Sequence, residues 1–216
     1  MTPSWGGVLF DLDGTLADTV PLILACYRHT MTVHRGAPLP DDLWLRHVGR
    51  PLRESLLAFG DDADEAEAMR ETYLGYQREV HDGMVHPFPG VPEAVAELRS
   101  LGVPLGVVTS KTSEMAHRTL RVCALADAFA VVVTADDVTR GKPDPEPVHT
   151  ALRALGAVAG PGILFVGDSP HDLAAGRAAG VRTAAVTWGA ASEAALVAGA
   201  PDYLVRSVAE LRALRP

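Results

Sequence analysis

Short apolar runs recur along the chain, and most of them are followed by a stretch with helical periodicity. A short continuous apolar run is typical of a strand that is buried on both faces of a sheet. The runs predict strands at residues 7–10, 104–108, 131–133, 163–166 and 183–186, with an edge strand at 203–205. The helical patterns cover residues 92–101, 113–125, 145–155 and 171–179. This alternation predicts an α/β fold with a doubly wound, Rossmann-like parallel sheet.

The stretch between the first predicted strand and the next helix spans almost eighty residues and has a different pattern. Its periodicity is helical throughout, and no run in it is typical of a strand. The predicted helices cover residues 20–33, 41–47, 51–59 and 63–80. We therefore expect a catalytic core made of residues 1–15 and 87–216, with an all-helical domain, residues 16–86, inserted after the first strand.

The composition excludes some classes of partner. The chain has 216 residues and a hydrophobic fraction of 48%, and this length and hydrophobic content are ample for a buried core. Its formal net charge is −8. Lysine and arginine form no stripe, so we expect neither nucleic acid nor an anionic membrane as a partner. A small molecule is the expected partner, and no pattern indicates an oligomeric state.

Targeting signals are not recognisable in the sequence. The N-terminus has no basic segment followed by a long apolar one, and no stretch of about 18 apolar residues is free of charge. Cys26 and Cys123 are too isolated for a disulfide framework or a metal knuckle, and they fit buried thiols in a reducing compartment. These features predict a cytoplasmic protein without a membrane span.

Polar residues follow the predicted strands at the end where ligands bind in parallel sheets. In such sheets the ligand site lies beyond the carboxyl ends of the strands. The residues in question are Asp11 and Asp13 after the first strand, Thr109 and Ser110 after the second, Asp168 and Asp172 after the fourth, and Lys142 at the start of the helix that follows the third. Single aspartates near a helix start are commonly N-caps, but so many polar groups at one edge indicate a site.

The charges of these residues indicate phosphoryl transfer. Asp11 and Asp13 are two residues apart in extended chain, so their side chains project to the same side and repel unless a cation separates them. Mg²⁺ fits, because it prefers carboxylate and phosphate oxygens. Lys142, one of two lysines in the chain, supplies a further positive charge, and Thr109 and Ser110 offer an anion cradle. An aspartate nucleophile acting on a phosphate is the reaction that this set suits.

Four segments in order resemble the motifs of the haloacid dehalogenase superfamily, and the resemblance covers essentially the whole chain. They are FDLDGTLADT, VVTSK, GKPDP and VGDSPHD. The resemblance implies that the insert, residues 16–86, is a mobile helical cap; it is called the cap below. The implied site roles are Asp11 as nucleophile, Asp13 as general acid and base, Thr109 as phosphate-binding hydroxyl and Lys142 as charge-neutralising lysine. The implied magnesium ligands are Asp11, Asp168 and the backbone carbonyl of Asp13, with Asp172 as their support.

Several subclasses of that superfamily can be weighed from the residues present. Asp13 argues against a dehalogenase, since halide displacement needs no acid there. Residues 16–86 contain no lysine, which argues against the Schiff-base chemistry of phosphonoacetaldehyde hydrolases. The segments HVGRPL, VHPFPGV and PDYLV resemble the phosphoglycolate phosphatase and pyrophosphatase subgroup. The expected function is a magnesium-dependent phosphatase that hydrolyses a small, phosphoglycolate-like phosphomonoester through an aspartyl-phosphate.

Three alternatives stay open at this stage. A sugar phosphomutase of the beta-phosphoglucomutase type would use the same motifs, and a pyrophosphatase belongs to the same subgroup. A phospho-signalling module without turnover also combines an aspartate, a hydroxyl and a Lys-Pro pair at one sheet edge. Such modules are much shorter, carry no cap and have their acids in another order.

Four further residues lie near these motifs. Arg50, in a cap loop, is either a contact for the substrate's leaving group or a surface arginine. Lys111 either touches the bound phosphate or is a solvated lysine at a helix start. Asp18 is expected to be an N-cap of the first cap helix rather than a catalytic group. His171 lies inside VGDSPHD, and we expect it to point outward from the start of its helix.

Overall fold

The computed structural model describes residues 5–215. Its strands are β1 (Gly7–Phe10), β2 (Ala17–Asp18), β3 (His86–Pro87), β4 (Leu105–Val108), β5 (Val131–Val133), β6 (Ile163–Gly167), β7 (Arg182–Val186) and β8 (Tyr203–Val205). Its helices are α1 (Val20–Arg35), α2 (Asp41–Leu45), α3 (Leu52–Leu57), α4 (Ala63–Met84), α5 (Val91–Ser100), α6 (Ser113–Val122), α7 (Glu146–Leu155), α8 (Pro170–Ala178), α9 (Glu193–Ala198) and α10 (Val208–Ala213). A 3₁₀ turn, Ala135–Asp137, follows β5.

Six of the strands form one parallel sheet in the order β5-β4-β1-β6-β7-β8. The first strand is therefore central, with Phe10 paired to Val107 on β4 and to Val166 on β6. Because the strands are parallel, their carboxyl ends meet at one edge of the sheet. The predicted doubly wound α/β fold is confirmed.

Alternate residues of the central strands bury their side chains on opposite faces, as the two-residue period of a strand requires. On β1, Val8 and Phe10 join one hydrophobic cluster, and Leu9 joins another. The first cluster includes residues from α5, α6 and α10, and the second includes residues from α7 and α8. The sheet is thus covered by helices on both faces, which explains why its central strands have no polar positions.

The cap contains the helices α1 to α4, and α1 packs along α4. Its interior holds an aromatic group in which Tyr27 stacks on Trp44, with ring centroids 4.8 Å apart, and Phe59 lies edge-on to Tyr27 at 5.5 Å. The boundaries of the cap at residues 16 and 86 stay a prediction. None of the helices within residues 5–215 combines the length and the apolar character that a membrane span needs.

The prediction that residues 16–85 contain no strand was wrong. Ala17–Asp18 pairs antiparallel with His86–Pro87 in a two-stranded ribbon that joins the two ends of the cap segment. Two residues are too short to produce a recognisable alternation of polar and apolar positions. The predicted N-cap was also misplaced by one residue, since the N-cap of α1 is Thr19 rather than Asp18.

Candidate active site

The carboxyl edge of the sheet brings together residues that are far apart in the chain. Asp11 directly follows β1, and its backbone N–H donates to Val166 O at 2.8 Å, which continues the sheet pairing. Thr109 follows β4 in the same way, and its N–H donates to Val133 O at 2.9 Å. Asp168 follows β6 next to Asp11. The sheet order therefore sets these side chains beside one another.

Three buried carboxylates form a cluster at this edge. One oxygen each of Asp11, Asp168 and Asp172 lies within 4.8 Å of the others, and none of the three residues is more than 3% exposed. The ammonium of Lys142 lies between two of them, with Nζ 2.9 Å from Asp11 Oδ1 and 2.5 Å from Asp172 Oδ1. Two of the three carboxylates thus share one buried ammonium, and Asp168 forms no ion pair with it.

The protonation equilibria reflect this excess of negative charge. Burial, together with the charges of Asp172 and Asp13, raises the pKa of Asp11 to about 7 although Lys142 opposes the change. Burial and the two neighbouring carboxylates raise the pKa of Asp168 well above its usual range. Burial by itself would lower the pKa of Lys142, but Asp11 and Asp172 outweigh it and raise that pKa. A further cation would relieve the repulsion among the carboxylates.

The residues present fit a magnesium ion. Asp168 Oδ2 accepts a hydrogen bond from Ala190 N at 2.7 Å, whereas Asp168 Oδ1 is buried and has no hydrogen-bond partner among residues 5–215. A buried carboxylate oxygen without a partner is costly unless a ligand satisfies it. Carboxylate oxygens are hard donors of the kind that Mg²⁺ prefers. Asp11 and Asp168 would hold the ion.

Local structure holds the two acids that follow β6 in place. A Cβ at Gly14 would collide with the Asp168 carboxylate, and Gly14 has a φ of +76°, so only glycine fits this approach. Asp172 forms a capping box with Ser169 at the start of α8, in which Ser169 N and Oγ donate to Asp172 Oδ2 at 3.0 and 2.6 Å. The other oxygen of Asp172 faces Lys142, so Asp172 orients that lysine.

Asp13 is not one of the three clustered carboxylates and forms an ion pair with Lys111. Burial alone would raise the pKa of Asp13, but the Lys111 ammonium outweighs it and the pKa is lowered. The side chain of Lys111 is 8% exposed, so the interpretation as a solvated lysine was wrong. The sequence pattern indicates that Lys111 is a polar residue after a strand, but it does not predict the ion pair with Asp13.

The two hydroxyls after β4 have different partners. Thr109 is buried, and its Oγ1 accepts a hydrogen bond from Lys111 N at 3.2 Å. Ser110 Oγ donates to the carbonyl oxygen of Gly49 in the cap at 2.8 Å, so in this conformation its hydroxyl proton is used between core and cap. Phosphate binding by Thr109 and Ser110 stays a prediction.

A cavity of about 460 Å³ separates this edge of the sheet from the cap. Its core side includes Asp11, Asp13, Thr109, Ser110, Lys111 and Lys142. Its cap side includes Arg50, Arg53, Glu67, Arg70, Tyr73 and Gln77. The cavity is large enough for a small phosphorylated metabolite, and both walls contribute cations.

The arginines of the cavity differ in whether an acid already neutralises them. Arg70 is paired with Glu67, whose Oε1 accepts from Nε at 2.8 Å and from Nη2 at 2.6 Å. Arg50 and Arg53 form no ion pair with any acid of residues 5–215. Arg53 was not singled out from the sequence, although a position three residues after Arg50 at a helix start could have indicated it.

Two expectations about this region were wrong. His171 does not point away from the site, because its Nε2 accepts a hydrogen bond from Arg50 Nε at 3.1 Å. Burial and the Arg50 charge lower the pKa of His171. Lys142 does not start a helix either, since α7 begins at Glu146 and the Lys142–Pro143 peptide bond before it is cis. Proline at 143 therefore shapes the loop that carries the lysine rather than the helix.

Comparison with known proteins agrees with this geometry. The family model for haloacid dehalogenase-like hydrolases matches residues 8–186. A pyrophosphatase named PpaX from Bacillus velezensis is 38% identical over 204 residues, covering 94% of this chain and 93% of that protein. A solved haloacid dehalogenase-like hydrolase from Bacteroides fragilis superposes with a TM-score of 0.89 at 29% identity, covering 96% and 100% of the two chains.

A second solved structure, described as that of a predicted phosphoglycolate phosphatase from Haemophilus somnus, shares the fold. It superposes with a TM-score of 0.87 at 22% identity, and the match covers 96% of each chain. At this identity the likeness concerns the fold alone.

Proposed function

The chain belongs to the haloacid dehalogenase-like hydrolase family, and from this premise we propose that it is a magnesium-dependent phosphatase for a small substrate whose leaving group is itself an anion. Inorganic pyrophosphate is the first candidate substrate, because relatives at 38% identity are named pyrophosphatases. The phosphoglycolate-like monoester expected from the sequence is the second, since its leaving group carries a carboxylate. Arg50 and Arg53 support both candidate substrates.

One observation carries this proposal. Asp11 of the buried carboxylate cluster and its partner Lys142 line the same cavity as Arg50 and Arg53 of the cap. A phosphate at the cluster and an anionic leaving group at the arginines would use both walls at once. Arginine suits such a group, because its planar fork donates two parallel hydrogen bonds to phosphate or carboxylate.

The proposed reaction consists of two in-line transfers at phosphorus. An oxygen of Asp11 attacks phosphorus and forms an aspartyl-phosphate as the bond to the leaving oxygen breaks, and Asp13 gives that oxygen a proton. Asp13 then takes a proton from a water molecule, whose oxygen attacks phosphorus and restores the Asp11 carboxylate. With pyrophosphate, one molecule of water is consumed and two of phosphate are formed.

The remaining residues act by position and charge. Lys142 stays between Asp11 and Asp172 and keeps a positive charge beside the attacked phosphate. Thr109 offers its hydroxyl to a phosphate oxygen. When bound at Asp11 and Asp168, Mg²⁺ would offset their negative charge and withdraw electron density from the phosphate.

The test is phosphate release from pyrophosphate, 2-phosphoglycolate, hexose phosphates and nucleoside monophosphates, with and without MgCl₂. Asp11→Asn is the inactive reference, and Asp127→Asn at an exposed site is the matched control. Magnesium-dependent release that is fastest with pyrophosphate or 2-phosphoglycolate, and absent in Asp11→Asn, supports the proposal. Transfer of phosphate between positions of a sugar phosphate would instead indicate a mutase. A stable phosphoenzyme without turnover would indicate a signalling module.

A further inference from the structure

The contact between Arg50 and His171 joins the cap to the core across 121 residues of sequence. We propose that His171 is a positioning residue, which holds the Arg50 guanidinium so that its terminal nitrogens are presented to the anionic leaving group. This inference rests on the proposed function and adds a residue of the core to the recognition of the leaving group.

The direction of the hydrogen bond follows from chemistry. Arginine remains protonated in proteins and can only donate, so His171 Nε2 must accept and the ring must be neutral with its proton on Nδ1. The bond uses Arg50 Nε, which leaves the two terminal nitrogens of the guanidinium without a bond to any residue of 5–215. Those nitrogens carry the fork that recognises phosphate or carboxylate.

Arg50 differs from most of the other cationic side chains that line the cavity, because no acid within residues 5–215 neutralises it. Lys142 is held by Asp11 and Asp172, Lys111 by Asp13, and Arg70 by Glu67. The partner of Arg50 is instead an uncharged ring, which fixes the side chain without neutralising it. An arginine held in this way keeps its full charge for a ligand.

The loop that carries Arg50 is docked closely on the core. Gly49 has a φ of +94°, and a Cβ there would lie 2.8 Å from Ser169 Oγ. On the other side of the same loop, Pro51 approaches Gly141, where an added Cβ would lie 2.9 Å from the proline ring. The bond from Ser110 Oγ to Gly49 O adds a third point of attachment. Arg50 is therefore presented to the cavity by a loop that rests on the core.

His171 is suited to this task because it lies in the first turn of α8, one residue before Asp172. Asp172 in turn orients Lys142 at the phosphate site. The same helix start would thus set the position of the transferred phosphate through Asp172 and the position of the leaving group through His171 and Arg50. Correct spacing between the two sites favours a substrate with two anionic groups.

The test compares a substrate that has an anionic leaving group with one that lacks it. Pyrophosphate and p-nitrophenyl phosphate are assayed with wild type, His171→Leu, His171→Gln, Arg50→Ala and the double variant Arg50→Ala/His171→Leu. His171→Leu should raise KM for pyrophosphate by about tenfold while kcat changes less. Its kcat/KM for p-nitrophenyl phosphate should stay within about twofold of wild type, and His171→Gln, which keeps an acceptor, should restore most of the loss.

Coupling between the two residues gives a second prediction. If His171 acts through Arg50, the double variant is no worse on pyrophosphate than Arg50→Ala alone. Arg46→Ala is the matched control, since Arg46 is a cap arginine paired with Asp42 and lies outside the cavity lining. Calorimetry of pyrophosphate binding in the Asp11→Asn background, with MgCl₂ present, measures the same effect without turnover, as a dissociation constant about tenfold weaker in His171→Leu.

Other outcomes overturn the inference. Equal losses on both substrates would mean that His171 supports the start of α8 rather than Arg50, and so would losses that multiply in the double variant. A wild type that hydrolyses pyrophosphate, with His171→Leu unaffected, would overturn the inference and leave the proposed function intact. A wild type that neither hydrolyses nor binds pyrophosphate, and releases no phosphate from 2-phosphoglycolate either, would overturn both.

Discussion

Lys142 Nζ lies 2.9 Å from Asp11 Oδ1, and each of the two side chains is at most 4% exposed. The pair joins the loop before α7 to the end of the central strand β1. An isolated buried carboxylate would be strongly destabilising, so the lysine is part of what allows Asp11 to be there at all. The same lysine would place a positive charge beside a phosphate attacked by Asp11 in the proposed reaction.

Replacing Lys142 with arginine should impair the enzyme although the charge is kept. The guanidinium is larger and planar, and it cannot occupy the point between Asp11 and Asp172 that a compact ammonium fills. We expect kcat to fall by about 10²- to 10³-fold, as for loss of a well-placed charge-stabilising donor. Steady-state assays measure this, with Arg140→Lys, two residues away at an exposed site, as the control. A Lys142→Arg enzyme of normal kcat would remove the reason for a lysine here.

Magnesium should stabilise the folded protein through Asp168. A ligand that binds only the native state adds about 2.7 kcal/mol to the free energy of unfolding at one hundred times its dissociation constant. We therefore expect Tm to rise with MgCl₂ concentration in wild type and in the surface control Asp127→Asn, but not in Asp168→Asn. Differential scanning fluorimetry gives all three curves. An Asp168→Asn protein with the wild-type dependence on MgCl₂ would exclude Asp168 as a ligand.

Much of the fold could be predicted because the apolar runs of a buried parallel sheet are conspicuous. The strands at residues 7–10, 131–133 and 203–205 have the predicted bounds. The approach of Asp11 to Asp168 follows from the same pattern, since both residues directly follow neighbouring strands of one parallel sheet. Here topology, rather than any local signal, converts positions in the sequence into proximity.

Contacts between the cap and the core could not be predicted in this way. The bond from Arg50 to His171 spans 121 residues and belongs to no repeating pattern. The sequence therefore indicates only an arginine in a loop and a histidine at a helix start. Such a contact depends on how the cap sits on the sheet, and periodicity contains no information about that placement. The ion pair of Lys111 with Asp13 is different, because both residues belong to the core and follow neighbouring strands of the sheet.

Removing the charge of Lys111 should reduce turnover more than it reduces stability. Lys111 holds Asp13, the proposed general acid and base, in an ion pair at the cavity. In Lys111→Met the carboxylate loses that partner and its orientation, and we expect kcat to fall by about 10- to 100-fold, within the range for disturbed acid–base catalysis. If the lysine were only structural, Tm would fall and kcat would not. The exposed Arg140→Lys again controls for a change at a basic side chain.

A buried histidine between the cap and the core should make stability depend on pH. His81 on α4 is fully buried; its Nδ1 lies 2.8 Å from Asp82 Oδ1, and its Nε2 lies 2.9 Å from Thr119 Oγ1 on α6. Burial lowers the pKa of His81, and the charges of Lys111 and Arg118 act in the same direction, while Asp82 opposes them.

Because the pKa of His81 is lower in the folded than in the unfolded protein, the unfolded chain binds the extra proton first as the pH falls through 6.5. The stability is therefore complete above that pH and decreases below it. One such proton accounts for at most about 1.4 kcal/mol per pH unit. We expect wild type to lose about 1 kcal/mol more than His81→Gln between pH 7.5 and 5.5 in urea unfolding. Exposed His149→Gln should behave like wild type, and parallel curves for His81→Gln and wild type would show that His81 does not cause the dependence.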